Sequence, residues 1–228
     1  MHQDPTRKFL ESLPEVKPGE QFWFACHPDV PCFNACCSDL TMPLMPYDVL
    51  RLCKGLSMGS EQFIEDYAIP GCYEDTGFPL LHLRMENTPG KPCPFLTGQG
   101  CGVYEDRSAA CRTYPLGRAT MPAPALEKEA SDSPDTGEIP LVEQYFLVRE
   151  GHCHGFAEQR SWTIQSWLGD QGINQYNSMN DRYMRLISRY KSVADGAVLS
   201  EKHATLALLC LYQQDRFLDF IKSVDLFS

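Results

Sequence analysis

A helical period of apolar positions is clearest in the back half of this chain. Tyr176, Met179, Tyr183, Leu186, Tyr190 and Val193 recur at alternating spacings of three and four, which predicts one long helix ended by Asp195-Gly196. Ser161 reads as the cap of a shorter helix over SWTIQSWLG. Ser200 reads as the cap of a last helix with Leu206, Leu209, Cys210, Phe217, Phe220 and Ile221 on its apolar side. The aromatic stripe is assigned to core packing rather than to a cofactor slot. In the front half the periods are shorter. An amphipathic helix is predicted over Thr6–Leu13, and a second starts at Pro46 in PYDVLRLCKGL, with proline in the tolerated first turn. A third, SEQFIEDYA, is expected to be capped by Ser60. PLLHLRM (79–85) and EQYFLVR (143–149) alternate as strands do, and the Pro- and acid-rich stretch from Met121 to Pro140 reads as a surface loop. No internal repeat is present. The expected fold is α+β and mainly helical, a single domain over 1–228. Its front, from about 20 to 155, is irregular, cysteine-rich and metal-organised; its helical back runs from about 160 to 225.

Composition narrows the function classes. A net charge of −10 and a pI of about 5.0, with no Lys/Arg stripe, argue against a nucleic-acid or anionic-membrane surface. The polar start MHQDPTRKFLESL lacks the apolar core of a secretory signal. The run Leu206–Tyr212 falls well short of the ~20 residues that a membrane helix needs. The expected setting is soluble and cytoplasmic.

In that setting the eleven cysteines change the picture most. Disulfide scaffolds are shorter and denser, and in a reducing compartment clustered cysteines point to metal. Cys36 and Cys37 are adjacent. Their Cα atoms, ~3.8 Å apart across a trans peptide, sit below the roughly 4.4–6.8 Å of a relaxed disulfide. If PCFNACC is helical, Cys32 and Cys36 share a face and Cys37 is turned by about 100° from Cys36. Eight cysteines lie in Gly/Pro-rich or turn-like sequence: Cys26, Cys32, Cys36 and Cys37 in one group, Cys93, Cys101 and Cys111 in a second, and Cys153 in GHCHG. Cys53 and Cys210 fall in helical patterns and Cys72 follows a Pro-Gly turn. These three are read as ordinary small hydrophobes or incidental thiols.

The segments FWFACHPDVPCFNACC, PYDVLRL, CPFLTGQGCGVYEDRSAACRTYPL and HCHGF…WLGDQGINQYNSMND resemble the YkgJ-type cysteine-cluster family, described as a zinc- or iron-chelating domain. The resemblance extends from about Phe22 to about Phe220, and the cysteine pattern followed by C-R-x-Y-P is its most specific part. It implies metal ligation by Cys26, Cys32, Cys36, Cys37, Cys93, Cys101, Cys111 and Cys153. This chain departs from the pattern at Arg107-Ser108, where the family often has Arg-Pro. The wider family includes flagellin lysine-N-methylases, which keeps a cluster-dependent methyltransferase as the alternative function.

The spacing favours an iron–sulfur cluster, 4Fe–4S first, over zinc. Structural zinc sits in C-x2-4-C knuckles, and no C-x2-C pair is present; the nearest spacing is Cys32-x3-Cys36. Eight thiolates suit either two four-ligand sites or one site with cysteines to spare. Cations should offset the negative charge of such a centre, and Arg112 is placed ahead of Arg107 and Arg118 in that role. His152, His154 and His27 are read as polar loop residues that could complete a site. Asp39, Asp48, Glu105 and Asp106 are read as caps or arginine partners. The function expected is metal binding with a structural or electron-transfer role. The metal is the one partner named, and no protein partner is specified. No G-x-G-x-x-G, P-loop or Ser/His/Asp signature marks an enzyme.

Overall fold

The computed structural model describes Phe9, residues 12–122 and residues 141–224. Ten short strands occur among them. In chain order these are β1 (Glu15–Val16), β2 (Phe22–Trp23), β3 (Pro43–Leu44), β4 (Ala68–Cys72), β5 (Pro79–Leu83), β6 (Leu96–Thr97), β7 (Gly100–Cys101), β8 (Leu116–Pro122), β9 (Leu141–Leu147) and β10 (Ser161–Trp162). Seven helices are described in full among the same residues: α1 (Pro46–Leu56), α2 (Ser60–Tyr67), α3 (Ala109–Thr113), α4 (Ile164–Asp170), α5 (Asn174–Val193), α6 (Glu201–Tyr212) and α7 (Gln214–Ser223). The fold is therefore mixed α+β, with small antiparallel sheets, rather than mainly helical.

Two compact units share the chain. The first combines residues up to Cys26 with Thr113–Gln171, and the second combines His27–Arg112 with the chain from Gly172 onward.

In the first unit β9 lies between β1 and β8, and Leu116 pairs with Leu147 at one end of the long β8–β9 ladder. β10 pairs with β2, so Trp162 lies opposite Phe22. The core is aromatic. Phe24 meets Tyr114 and Trp167 edge to face, with centroids 5.7 Å apart in both pairs. Both buried indoles satisfy their N–H: Trp162 Nε1 donates to Phe24 O at 2.8 Å and Trp167 Nε1 to Thr113 O at 3.0 Å. Thr163, not Ser161, caps α4, because Ser161 is already paired in β10; Thr163 Oγ1 accepts from Ser166 N.

In the second unit β5 is the middle of a sheet ordered β3–β5–β4, with Leu81 and Leu83 turned into the core. Val49 and Leu52, three residues apart on α1, bury against them with Phe63 of α2. Burial of that kind contributes about 1.5–3 kcal/mol per side chain. Pro46 opens α1 as expected, and Ser57, in the left-handed region at φ 53°, closes it. α2 is capped by Gly59 rather than Ser60, whose N–H and hydroxyl instead go to Asp215. The front half thus contains regular elements, and the apolar core they form also takes in Tyr212 of α6.

The long helix is present as α5, but its buried face is Tyr176, Tyr183 and Ile187; Leu186 and Val193 are exposed. A 3.6-residue period rotates the stripe away from a strict 3,4 spacing over five turns. The last helix is two. Ser200 does cap α6, accepting from His203 N, but the chain breaks at Gln213 (φ −120°, ψ 54°) before α7. Phe220 is exposed, which corrects its assignment to the core. Most of the helix expected over Thr6–Leu13 and most of the loop expected over Met121–Pro140 lie outside the described residues; Phe9 is helical, and Met121 and Pro122 end β8. Among the described residues no helix is long and apolar enough to cross a membrane.

Candidate metal centre

The segment PCFNACC is not helical. Three successive turns build it, closed by Phe33 N to Val30 O at 2.8 Å, Ala35 N to Cys32 O at 2.9 Å and Cys37 N to Asn34 O at 3.0 Å. Asn34, at φ 68°, supplies the left-handed residue that keeps these turns from propagating as a helix. The shared helical face of Cys32 and Cys36 is therefore not formed. Asn and its neighbours favour turns because a short polar side chain tolerates that backbone region.

Backbone pairing brings the second cysteine group to the first. Ser38 bridges Pro92, Cys93 N donates to Cys37 O at 2.7 Å, and Asp39 N donates to Lys91 O at 2.9 Å. The β6–β7 hairpin follows, with Gly100 at φ +119°. A Cβ at Gly100 would stand 3.3 Å from the ring of Phe33, so glycine is what lets the hairpin lie against the turn between Cys32 and Cys36. Cys101 ends the hairpin and Cys111 rides on α3. The start of α3 is fixed by Asp48, whose Oδ1 accepts from Ala109 N at 2.8 Å while its Oδ2 accepts from Met45 N at 2.9 Å.

Five thiols consequently interact with one another. Cys37 is pushed far above the usual thiol range, first by its hydrogen bond to Cys36, then by burial and by the charges of Cys36, Cys111 and Cys93. Cys111 is pushed up to about 11, mainly by burial, with Cys93, Cys101 and Cys36 adding to the rise and a Ser108 hydrogen bond opposing it. Cys111 retains exposed surface, yet burial leads the causes of its shift: protein crowds the sulfur without closing over it. Burial also raises Cys93, with Cys101 contributing. Cys36, Cys37, Cys93, Cys101 and Cys111 are thus drawn together by the fold. Cys32 opens one of the turns beside them.

Cys26 and Cys153 belong to the first unit. There Ala25 N donates to Gly155 O at 3.0 Å, which sets the two cysteine-bearing segments side by side. Gly155 permits the approach, since a Cβ would fall 2.6 Å from Ala25 O. His152 pairs with Glu150 at 3.3 Å, and His27, in the second unit, with Asp29 at 3.7 Å. The three cysteines set aside from the sequence stand elsewhere. Cys53 lines a groove with Lys54, Met58 and Asp215, and burial followed by Asp215 raises it to about 11. Cys72 is exposed on β4, and burial raises Cys210 on α6.

The three arginines of the second cysteine segment have different surroundings. Arg112 is buried and engaged with its own loop: its Nε donates to Arg107 O at 3.2 Å, its Nη2 to Glu105 O, and its guanidinium lies 4.8 Å from the Tyr176 ring centroid. Arg107 is the cation that feels the thiols. It is buried, its Nη1 donates to Tyr104 O, and its guanidinium lies 3.7 Å over the Tyr104 ring. Burial holds it below the usual guanidinium range, while Tyr104, Cys111 and Cys101 pull it back up. Arg118 pairs with Glu143 in the β8–β9 sheet, and Asp106 pairs with Arg51 at 2.6 Å. Two further residues escaped the sequence reading. Met42 is buried with its Sδ 3.9 Å from Cys111 Sγ, and Ser108 is buried with its Oγ 3.2 Å from the same Sδ. Only Ser108 left a signal in sequence, by standing one helical turn before Cys111.

As placed, no three His, Cys, Asp or Glu side chains among the described residues stand close enough to hold a metal ion. The donor set nevertheless fits a thiophilic metal. Neighbouring thiols and burial raise Cys37, Cys93 and Cys111, and a bound cation would favour their charged forms. Soft sulfur donors suit zinc or iron and disfavour calcium or magnesium.

A family model described as "Putative zinc- or iron-chelating domain" and written CxxCxxCC matches residues 25–154, more than half of the chain and a span that contains all eight candidate cysteines. No curated protein and no solved structure matches. The chain therefore belongs to the CxxCxxCC family of cysteine-cluster, zinc- or iron-chelating domains.

Proposed function

We propose that this chain binds an iron–sulfur cluster of the 4Fe–4S type, with zinc as the competing occupant, and that the centre serves a structural or electron-transfer role in the cytoplasm. The supporting observation is the mutual electrostatic reach of Cys36, Cys37, Cys93, Cys101 and Cys111. Four of these suffice for one cluster or one zinc ion. Cys32, Cys26 and Cys153 keep the candidacy that the sequence gives them. The metal supplies the positive charge that these thiols lack. The chain's own part is to lose their protons to solvent, present the sulfurs from turns and a helix start, and offset the remaining negative charge with the buried Arg107.

Anaerobic purification followed by metal and acid-labile sulfide analysis tests the reading. The 4Fe–4S assignment predicts about four iron and about four sulfide per chain, with a visible absorption that bleaches on reduction. Zinc without sulfide replaces the cluster with a closed thiolate site. A folded chain with neither metal, and with its thiols open to titration, contradicts metal binding itself.

A further inference from the structure

We propose that Ser108 is a positioning residue for the metal centre, its hydroxyl donating to the Cys111 sulfur when that sulfur is a metal-held thiolate. The inference rests on the proposed metal centre and concerns a residue outside its ligand set.

Ser108 immediately precedes α3, and its carbonyl accepts from Arg112 N at 3.0 Å, so its Cα is fixed at the start of the helix that carries Cys111. The side chain is buried at 3% exposure, away from water that would compete for its proton. Ser108 Oγ stands 3.2 Å from Met42 Sδ, and Cys111 Sγ stands 3.9 Å from the same atom. Ser108 and Cys111 therefore share Met42 as a neighbour, and the Ser108 side chain is also within hydrogen-bond reach of Cys111. A hydroxyl has one proton to donate, and a thioether is a weak acceptor. While Cys111 keeps its own proton, both Ser108 and Cys111 donate toward Met42. When Cys111 binds metal, its S–H bond breaks and the proton leaves to solvent, so the sulfur becomes a charged acceptor. A hydrogen bond to a charged acceptor is roughly twice as strong as a neutral one. The Ser108 hydroxyl then has a better partner one helical turn away. Met42 is left as an apolar neighbour of both groups.

The test uses the full chain, with Ser108→Thr and Ser108→Val as a pair of equal shape that differ in the hydroxyl. Co2+ serves as the probe, titrated against a competing chelator while the sulfur-to-cobalt charge-transfer band is recorded. Ser108→Thr is expected to keep the affinity of the unaltered chain. Ser108→Val is expected to lose about 10-fold, the lower end for removing an outer partner of a metal ligand. Its charge-transfer band should move to longer wavelength, since a sulfur without the hydrogen bond gives up its electrons more easily. A band and affinity shared by Thr and Val variants, with affinity within about twofold of the unaltered chain, overturn the inference while leaving the metal centre standing. Failure of the unaltered chain to bind Co2+ or Zn2+, together with the absence of an iron–sulfur cluster after anaerobic purification, overturns the centre, and this inference with it.

Discussion

At the scale of single residues, Arg107 is the arginine proposed to offset the thiols. Arg107 is coupled to Cys101 and Cys111, whereas Arg112 ties down carbonyls of its own loop and covers Tyr176. Arg107→Gln keeps much of the side-chain volume and removes the charge. It should weaken metal retention about 10-fold in chelator competition. Arg107→Lys should fall between the two, because lysine keeps the charge but loses the planar stack on Tyr104. Equal retention in all three chains would show that Arg107 only packs. Sequence could not rank the two arginines, because their difference lies in which way each guanidinium turns after the backbone of residues 104–113 has folded.

At the scale of elements, Asp48 joins α1 to α3. One carboxylate oxygen takes Met45 N and the other takes Ala109 N, so a single side chain orients the helix that presents Cys111. Burial raises its pKa to about 6, against the opposing pull of the Ala109 and Met45 hydrogen bonds and Arg112. Its folded value thus lies above the unfolded value. Between about pH 4 and 6 the native state holds more protons than the unfolded state, and stability from this group falls as pH rises, by about 3 kcal/mol across the window. Chemical denaturation should show that slope in the unaltered chain and lose it in Asp48→Asn, after subtraction of the two curves. Curves that stay parallel from about pH 4 to 7 would contradict it. Asp48→Ala leaves two backbone N–H groups without acceptors and should cost about 2–4 kcal/mol at neutral pH.

Elements were legible in sequence wherever a local rule was strong. Pro46 with its amphipathic run gave α1, and Ser200 gave the start of α6. Ser60 and Ser161 looked like caps but had better uses: Ser60 bonds Asp215, 155 residues away, and Ser161 pairs with Trp23. Those choices are tertiary, and no window of local sequence contains them. The break at Gln213 was hidden for a different reason. Apolar residues continue across it at helical spacing, so periodicity alone runs α6 and α7 together.

On the scale of the whole molecule, the eight cysteines were separable from the other three by their turn-rich surroundings. What the chain's pattern did not show is that the Ser38–Pro92 bridge zips two cysteine segments together, or that Cys26 and Cys153 fall in a different compact unit from the other six. The cysteine segments of the second unit are turns and a short hairpin, and order in them should depend on metal. Hydrogen exchange should therefore protect residues 28–39 and 91–112 more in the metal-loaded chain than in the stripped one. The Val49–Leu52–Phe63 core should change little. Equal protection of the loops in both forms would refute the coupling.

The most direct measurement is metal content per chain after anaerobic purification of Cys37→Ser beside Cys53→Ala. Both thiols are half-buried and both are raised in part by burial, but the hydrogen bond to Cys36 leads the causes for Cys37, with Cys111 and Cys93 adding to it, whereas Asp215 is what adds to burial for Cys53. Serine is a harder and far less acidic donor than cysteine. Cys37→Ser should lose most of the metal, and Cys53→Ala should keep it. Full metal in Cys37→Ser with loss in Cys53→Ala would contradict the assignment of the centre to the five-thiol cluster.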